Sequence, residues 1–203
     1  MIPNKTFDII NNIIPMVLLF AVVAILLRVV IAVYTNSKIS FYKETKLLVY
    51  VLYLFVLFQL VTTTDYGSYG YNNFVPFKEI MRYDIAAPLF WRNVVGNIVV
   101  FAPFGYIITD IIYMFTKRMN VFISFGFTVL MSSSIEFIQM FIGRSFDIDD
   151  IILNSLGGLI GFIAFVIMKK IFKEDNFITN TVKAFLFLVV VIAVCLFVYF
   201  AIK

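Results

Sequence analysis

The sequence contains no histidine and a single cysteine. The first absence excludes Ser-His-Asp and Cys-His nucleophile arrangements and every histidine metal ligand. The second excludes an intramolecular disulfide and a cysteine-rich metal site. Cys195 lies within an apolar run and reads as a small packing residue. Charge is also scarce. Asp, Glu, Lys and Arg make up 14% of the residues, against about 25% in an ordinary soluble domain. Acid–base chemistry is therefore left to carboxylates, tyrosine and lysine. No basic stretch is interleaved with aromatics in the manner of a nucleic-acid surface, so no nucleic-acid partner is expected.

What the chain has is hydrocarbon. Apolar residues form 63% of its 203 positions, and mean hydropathy is +1.02. This is the composition of an integral membrane protein. The expected fold is an all-α, polytopic membrane bundle forming a single domain over residues 1–203. A helix needs about 20 apolar residues to cross the hydrocarbon. That ruler predicts six spans, near 10–33, 46–63, 95–115, 120–141, 150–168 and 180–202. The first apolar run, from Ile9 to Val33, is longer than a secretory signal core and reads as a span.

The loop charges predict an orientation, because Lys and Arg favour the cytoplasmic side. Lys38, Lys43 and Lys46 follow the first span, Lys117 and Arg118 the third, and Lys169, Lys170 and Lys173 the fifth. These loops alternate in register, which predicts N-out and C-out. Arg28 can snorkel to the same cytoplasmic surface. The long 64–93 loop contains "DYGSYGYNNFVPFKEIMRYD" and predicts an interfacial segment near 74–90. There Phe74, Val75 and Phe77 would enter the interface, Lys78, Glu79 and Arg82 would face water, and Trp91 would sit at headgroup level. An interfacial helix that closes the bundle and a lid or headgroup platform are both compatible with this pattern.

Polar residues concentrate in one stretch, "SSSIEFIQMFIGRSFDIDDIILNSLGGLIG" at 132–161. Glu136 and Gln139 fall near the outer end of the fourth span, Asp150 and Asn154 near the outer start of the fifth, and Asn97 near the outer start of the third. At a rise of about 1.5 Å per residue these groups share one depth. Glu136 and Gln139 are i, i+3 and share a helix face. Asp150, Asn154, Gly157 and Gly161 line one face of the next helix, and the Gly157-x-x-x-Gly161 pair permits close helix approach. Asp147 or Asp149 would cap that helix. Pro103 and Gly105 interrupt the third span, either as a plain kink or by opening backbone groups to a polar cavity.

Intramembrane ionisable groups mark functional sites by default, and a structural ion-pair and capping network is the alternative. Arg144 is the expected partner of Glu136 and a two-pronged ligand for phosphate. Acids at 147, 149 and 150 are compatible with a divalent cation or with helix capping alone. No other cofactor is expected. Asp110 stands about 20 Å along the helix from Asn97 and reads as interfacial or paired with a loop base.

The segments "NFVPF" at 73–77, "NIVVFAPFG" at 97–105 and "IEFIQMFIGRSFDIDDIILNSLGGLIG" at 135–161 together resemble the VanZ-like family of bacterial membrane proteins. The resemblance covers residues 70–165, the expected core. It joins an N-x-x-x-F-x-P-x-G block, an E-x-x-Q block and an R-x-x-D-x-x-D segment leading into N-x-x-G-x-x-x-G. It singles out Asn97, Pro103, Gly105, Glu136, Gln139, Arg144, Asp147, Asp150, Asn154, Gly157 and Gly161. It implies a bacterial plasma-membrane protein linked to envelope defence against lipoglycopeptides such as teicoplanin.

The reading that follows is an outward polar pocket for an anionic lipid or a lipid-linked cell-wall precursor. Asn97, Glu136, Gln139, Arg144, Asp147, Asp150 and Asn154 would be its ligand-binding residues. Pro103, Gly105, Gly157 and Gly161 would shape the helices around it. The alternative is a carboxylate-dependent lipid enzyme with Glu136 as base. A transporter requires a polar path across the bilayer, and the sequence offers little lining between the outer cluster and Asp110.

Overall fold

The computed structural model describes residues 41–62 and 72–172, with scattered helical positions within 15–34 and 182–193. The architecture is all-α. Helix α1 runs over Phe41–Thr62, α2 over Pro88–Thr116, α3 over Val121–Phe141 and α4 over Ile148–Ile171. The last three are long and apolar enough to cross a membrane. The predicted first and last spans fall largely outside the described residues.

Each helix ends for a local reason. Pro88 opens α2, where a missing N–H costs nothing. Lys117 closes it in the left-handed region, with its N–H donating to Tyr113 O at 2.9 Å. Asn120 caps α3 through its side chain, accepting from Ile123 N at 3.1 Å. At the other end of α3, Gly143 takes a φ of 87°, a conformation that favours glycine. Asp147 then caps α4 by accepting from Asp149 N at 2.9 Å.

Two boundaries differ from the sequence reading. The third predicted span starts at Pro88 rather than near 95, because the 88–90 turn and a π-helical turn over Trp91–Val95 extend it continuously. Trp91 and Arg92 therefore belong to a helix. The second predicted span begins at Phe41, so Lys43 and Lys46 are helical rather than in a loop. Pro103 does not interrupt α2, which stays helical from Gly96 to Thr116. Its ring leaves the Val99 carbonyl without an intrahelical donor. One position on, Val100 O accepts from the buried Tyr53 hydroxyl of α1.

Helices α2 and α4 make the most extensive contact, with α3 against α4 next. The α2–α4 contact is glycine-mediated. A Cβ on Gly105 would overlap Gly158, one on Gly157 would overlap Ile98 O, and one on Gly161 would overlap Ala102 O. The backbones touch because no side chain intervenes, as in other small-xxx-small helix pairs. A core of Tyr50, Tyr53 and Leu57 from α1, Phe101, Phe104 and Ile107 from α2, and Ile135 from α3 fills the remaining wedge.

The segment near 74–90, for which an interfacial helix is one of two readings, is built of turns as far as Pro88. Residues 75–79 turn, and a 3-10 turn covers Ile80–Arg82. A continuous helix fails here because Phe77 is held at a φ of 65°. Asn73 also pairs in parallel with Asp147, which fixes an extended backbone just upstream.

Candidate functional site

The alternation of α2, α3 and α4 brings the start of α2, the end of α3 and the start of α4 to one end of the bundle. That end collects the seven residues expected to bind ligand. Asn97 Nδ2 donates to Asp150 Oδ1 at 2.5 Å, joining α2 to α4. Asn154 Nδ2 donates to Ser132 Oγ at 2.9 Å, joining α4 to α3. Glu136, only 1% exposed, accepts through Oε2 from the Asp147 backbone N–H at 2.9 Å.

The expected pairing of Glu136 with Arg144 is indirect. The Gln139 amide lies between them. With the amide assigned in the orientation that gives both its ends a partner, its nitrogen donates to Glu136 Oε1 at 2.8 Å and its oxygen accepts from Arg144 Nη1 at 2.6 Å. The backbone imposes this relay, because the chain reverses after α3 and Arg144 N donates to Gln139 O at 3.0 Å. Arg144 is thereby folded back over the last turn of the helix that carries Glu136. Glu136 still lies in the electrostatic field of Arg144, and in those of Asp147 and Asp150.

Asp147 serves as cap and cross-link at once. Its Oδ1 accepts from Asp149 N at 2.9 Å and from Asn73 Nδ2 at 2.8 Å. Among the described residues no group of three or more His, Cys, Asp or Glu is placed to hold a metal ion. The acids at 147 and 149 are engaged with backbone and amide N–H groups.

Three features escaped the sequence reading. The first is Asp149, 1% exposed, which accepts from the backbone N–H of Phe77 at 2.5 Å, Glu79 at 2.7 Å and Ile80 at 3.2 Å. A carboxylate two places from the cap is expected to face the helix dipole, and only the tertiary fold brings the 77–80 backbone onto it. The second is Asn73, whose N–H donates to Phe146 O at 2.8 Å and whose carbonyl accepts from Ile148 N at 3.0 Å. The third is a buried polar stripe on α3 formed by Ser124, Thr128, Ser132 and Glu136. Its i, i+4 spacing was readable, and it supplies polar lining between the two ends of α3.

At the opposite end, Asp110 pairs with Lys46 at 2.8 Å and accepts from the Tyr50 hydroxyl at 2.7 Å. Lys169 stands over the Tyr113 ring, 5.0 Å from its centroid. Asp110 is thus paired with a base and remote from the polar cluster, as its position along the helix implied.

A family model described as VanZ/LLP1 matches residues 45–169. The chain belongs to the VanZ/LLP1 family. No curated protein and no solved structure matches it. The VanZ/LLP1 match begins inside α1 and ends in the last turn of α4, and so takes in a helix that the sequence resemblance left aside. The polar cluster, the glycine contacts and the Lys46–Asp110 pair all lie within this VanZ/LLP1 region. VanZ/LLP1 membership and the three apolar helices together suggest a membrane protein, and the family suggests a role in glycopeptide resistance.

Proposed function

We propose that the chain is a bacterial plasma-membrane protein whose polar cluster binds the headgroup of an anionic lipid or lipid-linked cell-wall precursor on the outer face. In this reading all 203 residues form one domain of six spans, with both termini outside. The orientation draws on charge. Lys46, Lys117, Arg118, Lys169 and Lys170 gather at the end of the bundle away from the cluster, and basic residues favour the cytoplasm.

The observation that carries the reading is the Glu136–Gln139–Arg144 relay, set beside the Asn97–Asp150 contact. The relay holds one of the five N–H donors of Arg144 and so aims the guanidinium. The planar fork suits a phosphate. Around it the cluster is rich in acceptors, with carboxyl groups at 136, 147 and 150 in the same cluster and those of Glu136 and Asp150 within the field of the one guanidinium. A bare phosphate would meet this acidic excess unfavourably. A headgroup that carries hydroxyl or amide donors as well as phosphate fits better, which favours a sugar- or peptide-bearing precursor. Sequestering or shielding such a headgroup would alter the access of a teicoplanin-type antibiotic to the membrane surface.

The enzyme alternative is less well supported by the geometry. Both oxygens of Glu136 accept protein hydrogen bonds, so a base there would first have to release one. Turnover of a defined lipid, lost in Glu136→Gln, would favour catalysis over binding.

The test is mass spectrometry of lipids retained by the purified full-length chain. Wild-type protein should carry a phosphate-bearing lipid enriched over the bulk membrane. Arg144→Ala and Asp150→Ala should lose that enrichment, while Gly126→Ala keeps it. A retained-lipid profile equal to bulk in wild type would refute the reading. Expression of the chain should also raise the inhibitory concentration of a teicoplanin-type compound, and Arg144→Ala should reduce that rise.

A further inference from the structure

The segment over 72–87 presents an apolar surface that the helices do not cover. Phe74, Val75, Phe77, Met81 and Ile85 are all exposed, Met81 by 82%. Contiguous exposed apolar surface of this kind marks a protein or membrane contact. The backbone that carries these side chains is pinned. Asp149 accepts from Phe77 N, Glu79 N and Ile80 N, and Asn73 Oδ1 accepts from Val75 N at 3.1 Å. Phe77 lies in the left-handed region, which bulky residues avoid. Its outward direction is therefore set by the clamp and not by local preference.

The patch continues onto the bundle. Phe74 stacks on Phe146 with ring centroids 5.1 Å apart, and Phe146 contacts the exposed Phe137 of α3 at 6.0 Å. Downstream, Leu89 and Trp91 expose apolar surface on the first turns of α2. These are outward faces of membrane-length helices, so the patch joins the belt that such helices turn toward lipid. Lys78 and Arg92 are exposed within the same stretch of chain.

We propose that residues 74–85 form a clamped interfacial platform that rests in the outer headgroup layer of the bilayer. Phe74, Val75, Phe77, Met81 and Ile85 enter the acyl boundary, and Lys78 and Arg92 contact anionic headgroups. The device is a loop fixed by Asp149, not an amphipathic helix. Lys78, Arg92 and Trp91 suit this layer, since each combines an apolar body with a polar tip, while Phe74, Phe77, Met81 and Ile85 supply apolar area alone. The proposal rests on α2, α3 and α4 spanning a membrane, and it is independent of headgroup binding at Arg144.

Depth-dependent fluorescence quenching tests it. Trp91→Phe removes the single tryptophan, and Met81→Trp or Ile85→Trp then adds one reporter at an exposed position. The full-length chain is reconstituted in vesicles of phosphatidylcholine and phosphatidylglycerol, with or without shallow-brominated chains. Both reporters should show blue-shifted emission, quenching by the brominated lipid and protection from aqueous iodide. Asp149→Ala should reverse these shifts, and Asp149→Asn serves where the alanine variant does not fold. Removing phosphatidylglycerol should reduce the immersion, and no change would overturn the assignment of Lys78 and Arg92. Iodide quenching without bromolipid quenching at both reporters would overturn the platform. Iodide protection that disappears on dilution with lipid, without bromolipid quenching, would mark a second copy and overturn it too. The readout is depth alone, so it can fail while Arg144-dependent lipid retention stands, and the reverse.

Discussion

Asn97, in the third turn of α2, and Asp150, in the first turn of α4, join two helices across 53 positions of chain, with Asn97 Nδ2 donating to Asp150 Oδ1 at 2.5 Å. A side-chain hydrogen bond contributes about 0.5–1.5 kcal/mol net, and about 1.5–3 kcal/mol where one partner is charged. Asn97→Ala and Asp150→Ala should each lower stability in detergent unfolding. Their double-mutant cycle should return a coupling of about 0.5–3 kcal/mol. Strictly additive losses would show that the two side chains do not interact.

Asp149 supports a loop and not only a helix start. Asp149→Ala leaves the N–H groups of Phe77, Glu79 and Ile80 without their acceptor. An unsatisfied buried group costs about 1–3 kcal/mol, so the loss should be among the largest for any single polar substitution here. Limited proteolysis should cut within 72–82 faster than in wild type. Asp149→Asn should fall between the two, because its amide keeps one of the two accepting oxygens.

The glycines should divide sharply. Gly105→Ala, Gly157→Ala and Gly161→Ala each place a methyl into the backbone of the facing helix. Overpacking of that kind costs about 1–3 kcal/mol. Gly126 has nothing within 4 Å of its added Cβ, and Gly126→Ala should stabilise α3 by about 0.5–1 kcal/mol. Thermal unfolding of the four variants side by side checks the contrast. Equal effects at all four positions would contradict the α2–α4 contact.

Lys46 and Asp110 form a partly buried pair, with side chains 18% and 14% exposed. Removing one member leaves the other's partly buried charge without this contact. Lys46→Met and Asp110→Leu should each destabilise by about 1–3 kcal/mol. The double variant should regain part of that loss, since replacing both members of a buried pair with apolar groups is often near neutral. Chemical unfolding of the three variants in one detergent gives the comparison. A double variant as weak as the sum of the singles would show that the two charges act separately.

Much of the site could be read without coordinates. Glu136, Gln139, Arg144, Asp147, Asp150 and Asn154 fall within a short window, and helical spacing places them near two adjoining helix ends. Asn97 joined them by depth alone, and the Asn97–Asp150 bond brings the two side chains together. The partner of Glu136 was harder to foresee. Opposite charge favoured Arg144 directly, but the chain reversal after Phe141 turns the guanidinium onto Gln139, which completes the relay. The start of α2 was misplaced for a different reason. Pro88 and the polar Arg92 and Asn93 resemble loop residues, yet proline is well suited to a first helical turn.

By itself the sequence determined the apolar, all-helical class of the chain. A chain that is 63% apolar cannot satisfy its backbone in a bilayer except as helices or a closed barrel, and long apolar runs select helices. It also determined that the charged residues would gather near helix ends, because burying charge mid-membrane costs several kcal/mol, about 2.5–3.5 on insertion scales. Only the tertiary structure decided what Asp149 holds and which loop reaches it. Hydrogen bonds between residues some 70 positions apart carry no local signal, since a backbone N–H is the same in every sequence.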